Sequence, residues 1–176
     1  SVIIITKNHS KYLSRCIASV LNQTYENFEL VIIDHDSSDN TYEIIKAYKS
    51  EKIKYLHYKE KKNISSVRNF GIENSSGNYI FFTDSDCIVS RNWIEEGLNI
   101  LDKGEVSGIE GKTVAEHQNF GASQHFVENY TGGQYQTCNI AYTRKSLIDC
   151  GMFNEKYSIA YEDIDLALRI KKKSII

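Results

Sequence analysis

Four short apolar runs, at residues 2–5, 28–33, 53–58 and 79–82, each stop at a polar or charged residue. Their β-branched and aromatic content suits strands, and the near absence of charge in three of them suits strands covered on both faces. Between the first two, Leu13, Cys16, Ile17, Val20 and Leu21 fall at the i, i+3, i+4, i+7, i+8 spacing of one buried helical face. Parallel neighbours need crossover helices, so strands alternating with helices predict an α/β fold: a doubly wound, mainly parallel sheet flanked by helices. In such a sheet the strand ends converge on one edge, the place where open α/β sheets bind ligands.

The local signals fill in this outline. Ser10 is a fair N-cap for the first helix, and Asn40 with Glu43 three residues on has the spacing of a capping box for the second. Further helices are expected at 65–73, 92–101 and 163–172, and later strands at 108–115 and 137–143. Residues 116–136, rich in Gly, Gln, Asn and aromatics without a period, read as a substrate-contacting loop region.

The fourth apolar run leads into Asp84-Ser85-Asp86. Residues two apart in an extended chain point the same way, so both carboxylates can face one ligand. Two like charges that close need compensation, and a divalent cation such as Mg²⁺ or Mn²⁺ with a phosphate supplies it. A turn carrying solvated aspartates explains the same three residues. Asp34 closes the second run, Glu162 and Asp163 open the last helix, and Arg68 lies between the first two acid clusters. Each has an ordinary reading too: Asp34 as a loop cap, Arg68 as a helix-surface cation, Asp163 as an N-cap or first-turn acid, and Asp165 with Arg169 as an i, i+4 ion pair.

A chain of 176 residues fits one domain, and a formal charge of -2 argues against an electrostatic nucleic-acid binder. Cys16, Cys87, Cys138 and Cys150 form no C-x-x-C pair, so free thiols in a reducing compartment are expected. No apolar run is long enough to span a bilayer, and no signal peptide is visible, which predicts a cytoplasmic location. Lys171-Lys172-Lys173 complements the dipole of the last helix, and is also compatible with peripheral contact to anionic lipid on the cytoplasmic face. Because the chain begins inside a strand and stops just after a helix, it is expected to be part of something longer.

The ordered set of segments resembles the family 2 glycosyltransferases with the GT-A fold. The segments are Ser1-Val2-Ile3-Ile4-Ile5-Thr6-Lys7-Asn8, Ser19-Val20-Leu21-Asn22-Gln23-Thr24-Tyr25, Asp34 with Ser37 and Asp39, Ser66-Val67-Arg68-Asn69-Phe70-Gly71-Ile72, Asp84-Ser85-Asp86, Cys138-Asn139-Ile140-Ala141-Tyr142, Gly151-Met152-Phe153-Asn154-Glu155 and Glu162-Asp163-Ile164-Asp165-Leu166. The resemblance implies inverting, metal-dependent transfer of a sugar from a nucleoside diphosphate sugar, most often a UDP-sugar, to an acceptor hydroxyl on a glycan, lipid-linked or protein acceptor. It implies that Thr6, Asp34, Arg68 and Asp84 bind the donor, that Asp86 with Asp84 holds Mn²⁺ or Mg²⁺, and that Asp163 is the general base. It also divides the single domain into a nucleotide-sugar-binding half, 1–103, and an acceptor-side half, 104–176, truncated at its C-terminus. Ile5, His35, Cys87 and Asn154 depart from the family pattern; His35 and Cys87 replace frequent acids, leaving the metal pair to two carboxylates.

Two other functions compete: a nucleotide-sugar-binding module that has lost catalysis, and a nucleotidyltransferase. The retained Glu162-Asp163 pair favours the enzyme, since a pure binder needs no base. The absence of a glycine-rich basic loop near the N-terminus argues against the nucleotidyltransferase.

Overall fold

The computed structural model describes residues 1–116, 127–157 and 160–176. The elements run β1 (Val2–Thr6), α1 (Ser10–Leu21), β2 (Leu30–Asp34), α2 (Thr41–Ala47), β3 (Ile53–His57), α3 (Ile64–Glu73), β4 (Tyr79–Asp84), α4 (Trp93–Leu101), β5 (Gly108–Glu110), β6 (Ile140–Thr143), α5 (Arg144–Asp149) and α6 (Glu162–Lys171). They build a six-stranded sheet of order β3-β2-β1-β4-β6-β5. The first four strands in that order are parallel, and β6 runs antiparallel to both β4 and β5. The expected mainly parallel, doubly wound α/β sheet is therefore present, with an antiparallel edge.

Alternation along the strands divides the core between two faces. Val2, Ile4, Leu30, Ile32 and Phe81 pack with Leu13, Cys16, Ile17 and Val20 of α1 and with Ile94, Leu98 and Leu101 of α4. Ile3, Val31, Ile33, Ile80, Phe82, Ile140 and Tyr142 pack on the other face, against Val67 and Ile72 of α3, Leu147 of α5, and Leu166 and Ile170 of α6. Burying both faces is why the strands read as continuous apolar runs. Two glycines set how closely helices lie on the sheet. A Cβ at Gly71 would stand 2.9 Å from Ile33 Cδ1, and one at Gly97 would stand 2.5 Å from Phe81 Cε1.

The caps differ from expectation. Ser10 and Asn40 make no side-chain cap; Asp39 supplies both helix starts. Its Oδ2 accepts from Ser10 N at 3.0 Å, and its Oδ1 from Thr41 N at 3.1 Å and Thr41 Oγ1 at 2.6 Å. Those hydrogen bonds hold the Asp39 carboxyl well below the ordinary carboxylate range. One carboxylate facing two helix N-termini does what two local caps were expected to do.

The later strands are shorter than expected, and α5 appears where no element was anticipated. At the end of β5 the Glu110 carboxylate collects Asn129 Nδ2 at 2.7 Å, Gly133 N at 2.6 Å, Gln134 N at 3.1 Å and Tyr135 N. Beyond it the backbone pairs at Gly111, whose N donates to Asn139 O at 3.0 Å, before Thr113 turns to bridge Asn129. Thr143 ends β6 by capping α5, accepting from Ser146 N at 3.1 Å.

Candidate active site

The loops leaving β1, β2 and β4 meet at the carboxyl edge of the parallel strands. With α3 and the segment before β6 they enclose a cleft of about 280 Å³, lined by Lys7, His9, His35, Arg68, Asp84, Asp86 and Thr137 among others. Of the residues expected to form the site, Arg68, Asp84 and Asp86 are brought together here.

The turn after β4 sets the two aspartates. Cys87 N bonds Asp84 O at 3.0 Å, and Cys16 Sγ of α1 donates to the same carbonyl at 3.2 Å. Ser85 is buried, with its Oγ 2.8 Å from His9 Nδ1, while Asp84 and Asp86 on either side are exposed. The alternation expected of an extended chain therefore survives the turn and leaves both carboxylates open to the cleft. The packed walls of the cleft raise the Asp84 carboxyl above the ordinary range; Arg68 pulls it down, and Asp86 and Asp163 push it up. The adjoining Cys87 thiol is pushed up by its hydrogen bond to Cys138, by burial and by the Asp84 charge.

Arg68 is not a helix-surface cation. Its Nη1 pairs with Glu162 Oε1, and its Nη2 donates to Thr137 Oγ1 at 2.6 Å; the Arg68 and Glu162 side chains are 10% and 9% exposed. Asp163 stands next to this pair in the first turn of α6, half-buried, with its Oδ1 accepting from Ile164 N at 2.8 Å. The N-cap of α6 is Tyr161, in the left-handed region at φ 74°, and not Asp163. Burial raises the Asp163 carboxyl; the Ile164 amide lowers it, the Glu162 charge raises it and the Arg68 charge lowers it. Asp163 is not on the cleft wall, but its charge is felt at Asp84.

Thr6 and Asp34 sit behind the wall, paired in register across β1 and β2. Asp34 is buried, with Oδ1 accepting from Ser37 N at 2.9 Å and Oδ2 from Tyr55 Oη at 3.2 Å. It thus caps the loop that carries His35. Thr6 is buried, and its Oγ1 has no hydrogen-bond partner among the described residues. Asp165 and Arg169 form the expected i, i+4 pair at 2.7 Å. His117 and His125, which have no partner pattern in the sequence, lie outside the described residues. Lys7, His9 and Thr137 line the cleft beyond the residues that the sequence pattern singles out. The first two stand in the loop that leaves β1, and their place at the ligand edge was the available signal.

The family model described as Glycosyl transferase family 2 matches residues 1–157. An uncharacterized glycosyltransferase of Rickettsia bellii is 36% identical over 151 residues, covering 80% of this chain and 21% of the relative. The UDP-Glc:alpha-D-GlcNAc-diphosphoundecaprenol beta-1,3-glucosyltransferase WfgD of Escherichia coli is 36% identical over 111 residues, covering 63% of this chain and 44% of WfgD. The chain thus spans less than half the length of either relative. Among solved structures, S. aureus TarS 1–349 in complex with UDP-GlcNAc superposes with a TM-score of 0.78 at 21% identity, covering 96% of this chain and 52% of that one. Mannosyltransferase PcManGT from Pyrobaculum calidifontis, in complex with GDP-Man and Mn²⁺, superposes with a TM-score of 0.80 at 16% identity, covering 99% and 52%. The sheet order, the cleft at its carboxyl edge and the match along most of the sequence lead to one assignment: the chain belongs to glycosyl transferase family 2 and has the GT-A fold.

Proposed function

We propose that the domain catalyses inverting transfer of a sugar from a nucleoside diphosphate sugar, with a UDP-sugar as the first candidate, to an acceptor hydroxyl in glycan or polysaccharide synthesis. The observation that carries this reading is the open pair Asp84 and Asp86 in a cleft it shares with Arg68, with Asp163 close enough for its charge to be felt there. WfgD, by its name, uses UDP-Glc and an acceptor linked to diphosphoundecaprenol, and TarS was solved with UDP-GlcNAc. Both support a UDP-sugar donor and a glycan or lipid-linked acceptor. The 1–103 portion would hold the donor and the 104–176 portion would face the acceptor.

In this reading Arg68 presents positive charge to the diphosphate. Asp34 holds the loop whose His35 borders the cleft, on the nucleobase side, and Thr6 backs the first loop. Asp163 takes the proton of the acceptor hydroxyl as its oxygen bonds to the anomeric carbon. The bond from that carbon to the diphosphate breaks, and the diphosphate leaves with the electron pair. Attack on the face opposite the leaving group inverts the centre without a covalent intermediate.

The two aspartates fit a hard divalent ion. Their carboxylates are exposed; Asp84 accepts no side-chain hydrogen bond from the described residues, and the contact of Asp86 is a 3.7 Å approach of Cys87 Sγ. Among the described residues no group of three or more His, Cys, Asp or Glu could hold a metal, so the remaining ligands would be diphosphate oxygens and water. Mn²⁺ or Mg²⁺, held by Asp84 and Asp86, would neutralise charge developing on the leaving diphosphate.

The test is a thermal-shift titration of the full-length protein with UDP and with GDP, each with and without Mn²⁺. A stabilisation by UDP that requires Mn²⁺ and disappears in Asp86→Ala is expected. No shift with either nucleotide in the wild type would overturn the donor-site reading, and a shift with GDP alone would replace the UDP-sugar.

Among the described residues no helix is long and apolar enough to cross a membrane. The exposed Lys171, Lys172 and Lys173 near the end of α6 suit peripheral contact with an anionic cytoplasmic leaflet, where acceptors carried on lipid would be met.

A further inference from the structure

Arg68 is fixed from several directions by groups far away in sequence. Glu162 and Thr137 bind its guanidinium, whose Cζ lies 5.3 Å from the centre of the Phe153 ring. That ring packs edge-on against Phe82 of β4 at 5.6 Å, and the Phe153 backbone is pinned by Asn69, which accepts from Phe153 N and donates to Phe153 O at 2.9 Å each. The helix α3 therefore reaches across to the strand of the paired aspartates, to the segment before β6 and to α6.

Packing alone is a poor reason for this arrangement. Taking two charges out of water is costly, and apolar residues of similar volume often stabilise a protein as well or better. Here the pair is also incompletely satisfied, because Glu162 Oε2 is buried with no hydrogen-bond partner among the described residues. Its location supplies another reason: Arg68 and Thr137 line the cleft, and Glu162 directly precedes Asp163.

We propose that Glu162 and Thr137 are positioning residues: they aim Arg68 at the donor cleft and lock the first turn of α6 against it, so that one buried unit sets both the donor-side cation and the base. The inference rests on the proposed donor site and base. Glu162 acts on both Arg68 and the Asp163 backbone, whereas Thr137 holds Arg68 from the cleft side and makes no hydrogen bond to α6 among the described residues. Their losses should therefore have different kinetic signatures, which a purely structural role would not produce.

The experiment uses the full-length protein with the nucleotide sugar that the wild type turns over. For Glu162→Gln, Thr137→Val and the double variant it measures melting temperature, UDP affinity with Mn²⁺, kcat and donor KM. Glu162→Gln should lower kcat by about tenfold to a hundredfold, the scale of a small displacement of reacting groups. Thr137→Val should raise donor KM several-fold while kcat stays within about twofold. The double variant should lose less than the product of the two single effects, since both act through Arg68. A lowered melting temperature with kcat and KM within about twofold of wild type in both single variants would overturn the proposal. So would fully multiplicative effects in the double variant. A wild type that neither binds a nucleoside diphosphate nor turns over a donor would overturn the donor-site reading itself, and this inference with it.

Discussion

The parallel block of β1 to β4 and the antiparallel edge of β6 and β5 are joined in one sheet but held in different ways. In the block, helix α1 lies on the strands through Leu13, Cys16, Ile17 and Val20, all completely buried and all at helical spacing. At the edge, much of the attachment is polar and long-range. Arg144 of α5 donates to Gly77 O at 2.7 Å, Ile72 O at 2.9 Å and Ser75 Oγ at 2.8 Å. Arg169 of α6 donates to Met152 O at 2.7 Å and to Cys150 O. Periodic apolar packing makes the frame of the cleft, whereas side-chain bonds to distant carbonyls add to the packing of Leu166 and Ile170 in placing the segment that carries Asp163. On the proposed roles, binding donor and activating acceptor are separable tasks.

The largest effect should come from separating those tasks. Asp163→Asn should lower transfer by about a hundredfold to ten-thousandfold, the usual contribution of a general base, while UDP binding with Mn²⁺ is unchanged. If calorimetry shows that UDP binding falls with it, the two tasks are not separable. The pH profile sharpens the point. Burial and the Glu162 charge raise the Asp163 carboxyl, with partial relief from the Ile164 amide and Arg68. Its basic form therefore accumulates only above the ordinary aspartate value of about 4, so kcat should fall as pH drops through an inflection above that value. An inflection at or below about 4 would remove Asp163 as the titrating base.

A smaller but global effect is expected in the parallel block. Leu13→Ala should cost about 2–5 kcal/mol in urea unfolding, the range for emptying a packed core position. Arg144→Met should cost less, about 1–3 kcal/mol, because it takes the donor from Gly77 O without opening the core, while Ile72 O keeps Ser75 Oγ at 2.8 Å. Hydrogen exchange should show the loss first at β6 amides, with β1 and β2 protected as before. Equal costs, or exchange that quickens in β1 and β2 together with β6, would break the contrast between frame and edge.

How far the sequence could be read follows the same division. The four strands of the block, α1, α3 and α4 were each expected within two residues of where they stand. Asp84 and Asp86 do open together at the ligand edge, as their spacing required. The first cap was misplaced because Asp39 bonds Ser10 N, 29 residues away, which no local pattern encodes; the second was off by one residue, since Asp39 and not Asn40 accepts from Thr41 N. Strand β5 is short because the chain leaves β6 after Gly111 and Thr113 pairs with the distant Asn129, and α5 is only six residues long, too short to show a period.

By itself, the sequence determined the periodic elements, the mainly parallel sheet they imply and the acids at the strand ends, because the pleat and the helical turn are local geometry written in residue spacing. Only the tertiary structure decided that Asp34 turns inward to hold a loop, and that Arg68 is buried between Glu162 and Thr137. It alone set Asp163, in the first turn of α6, beside the Arg68–Glu162 pair. The Arg68 placement depends on side chains meeting across about 70 to 94 residues of chain, where burial and hydrogen-bond satisfaction choose the partners, not spacing.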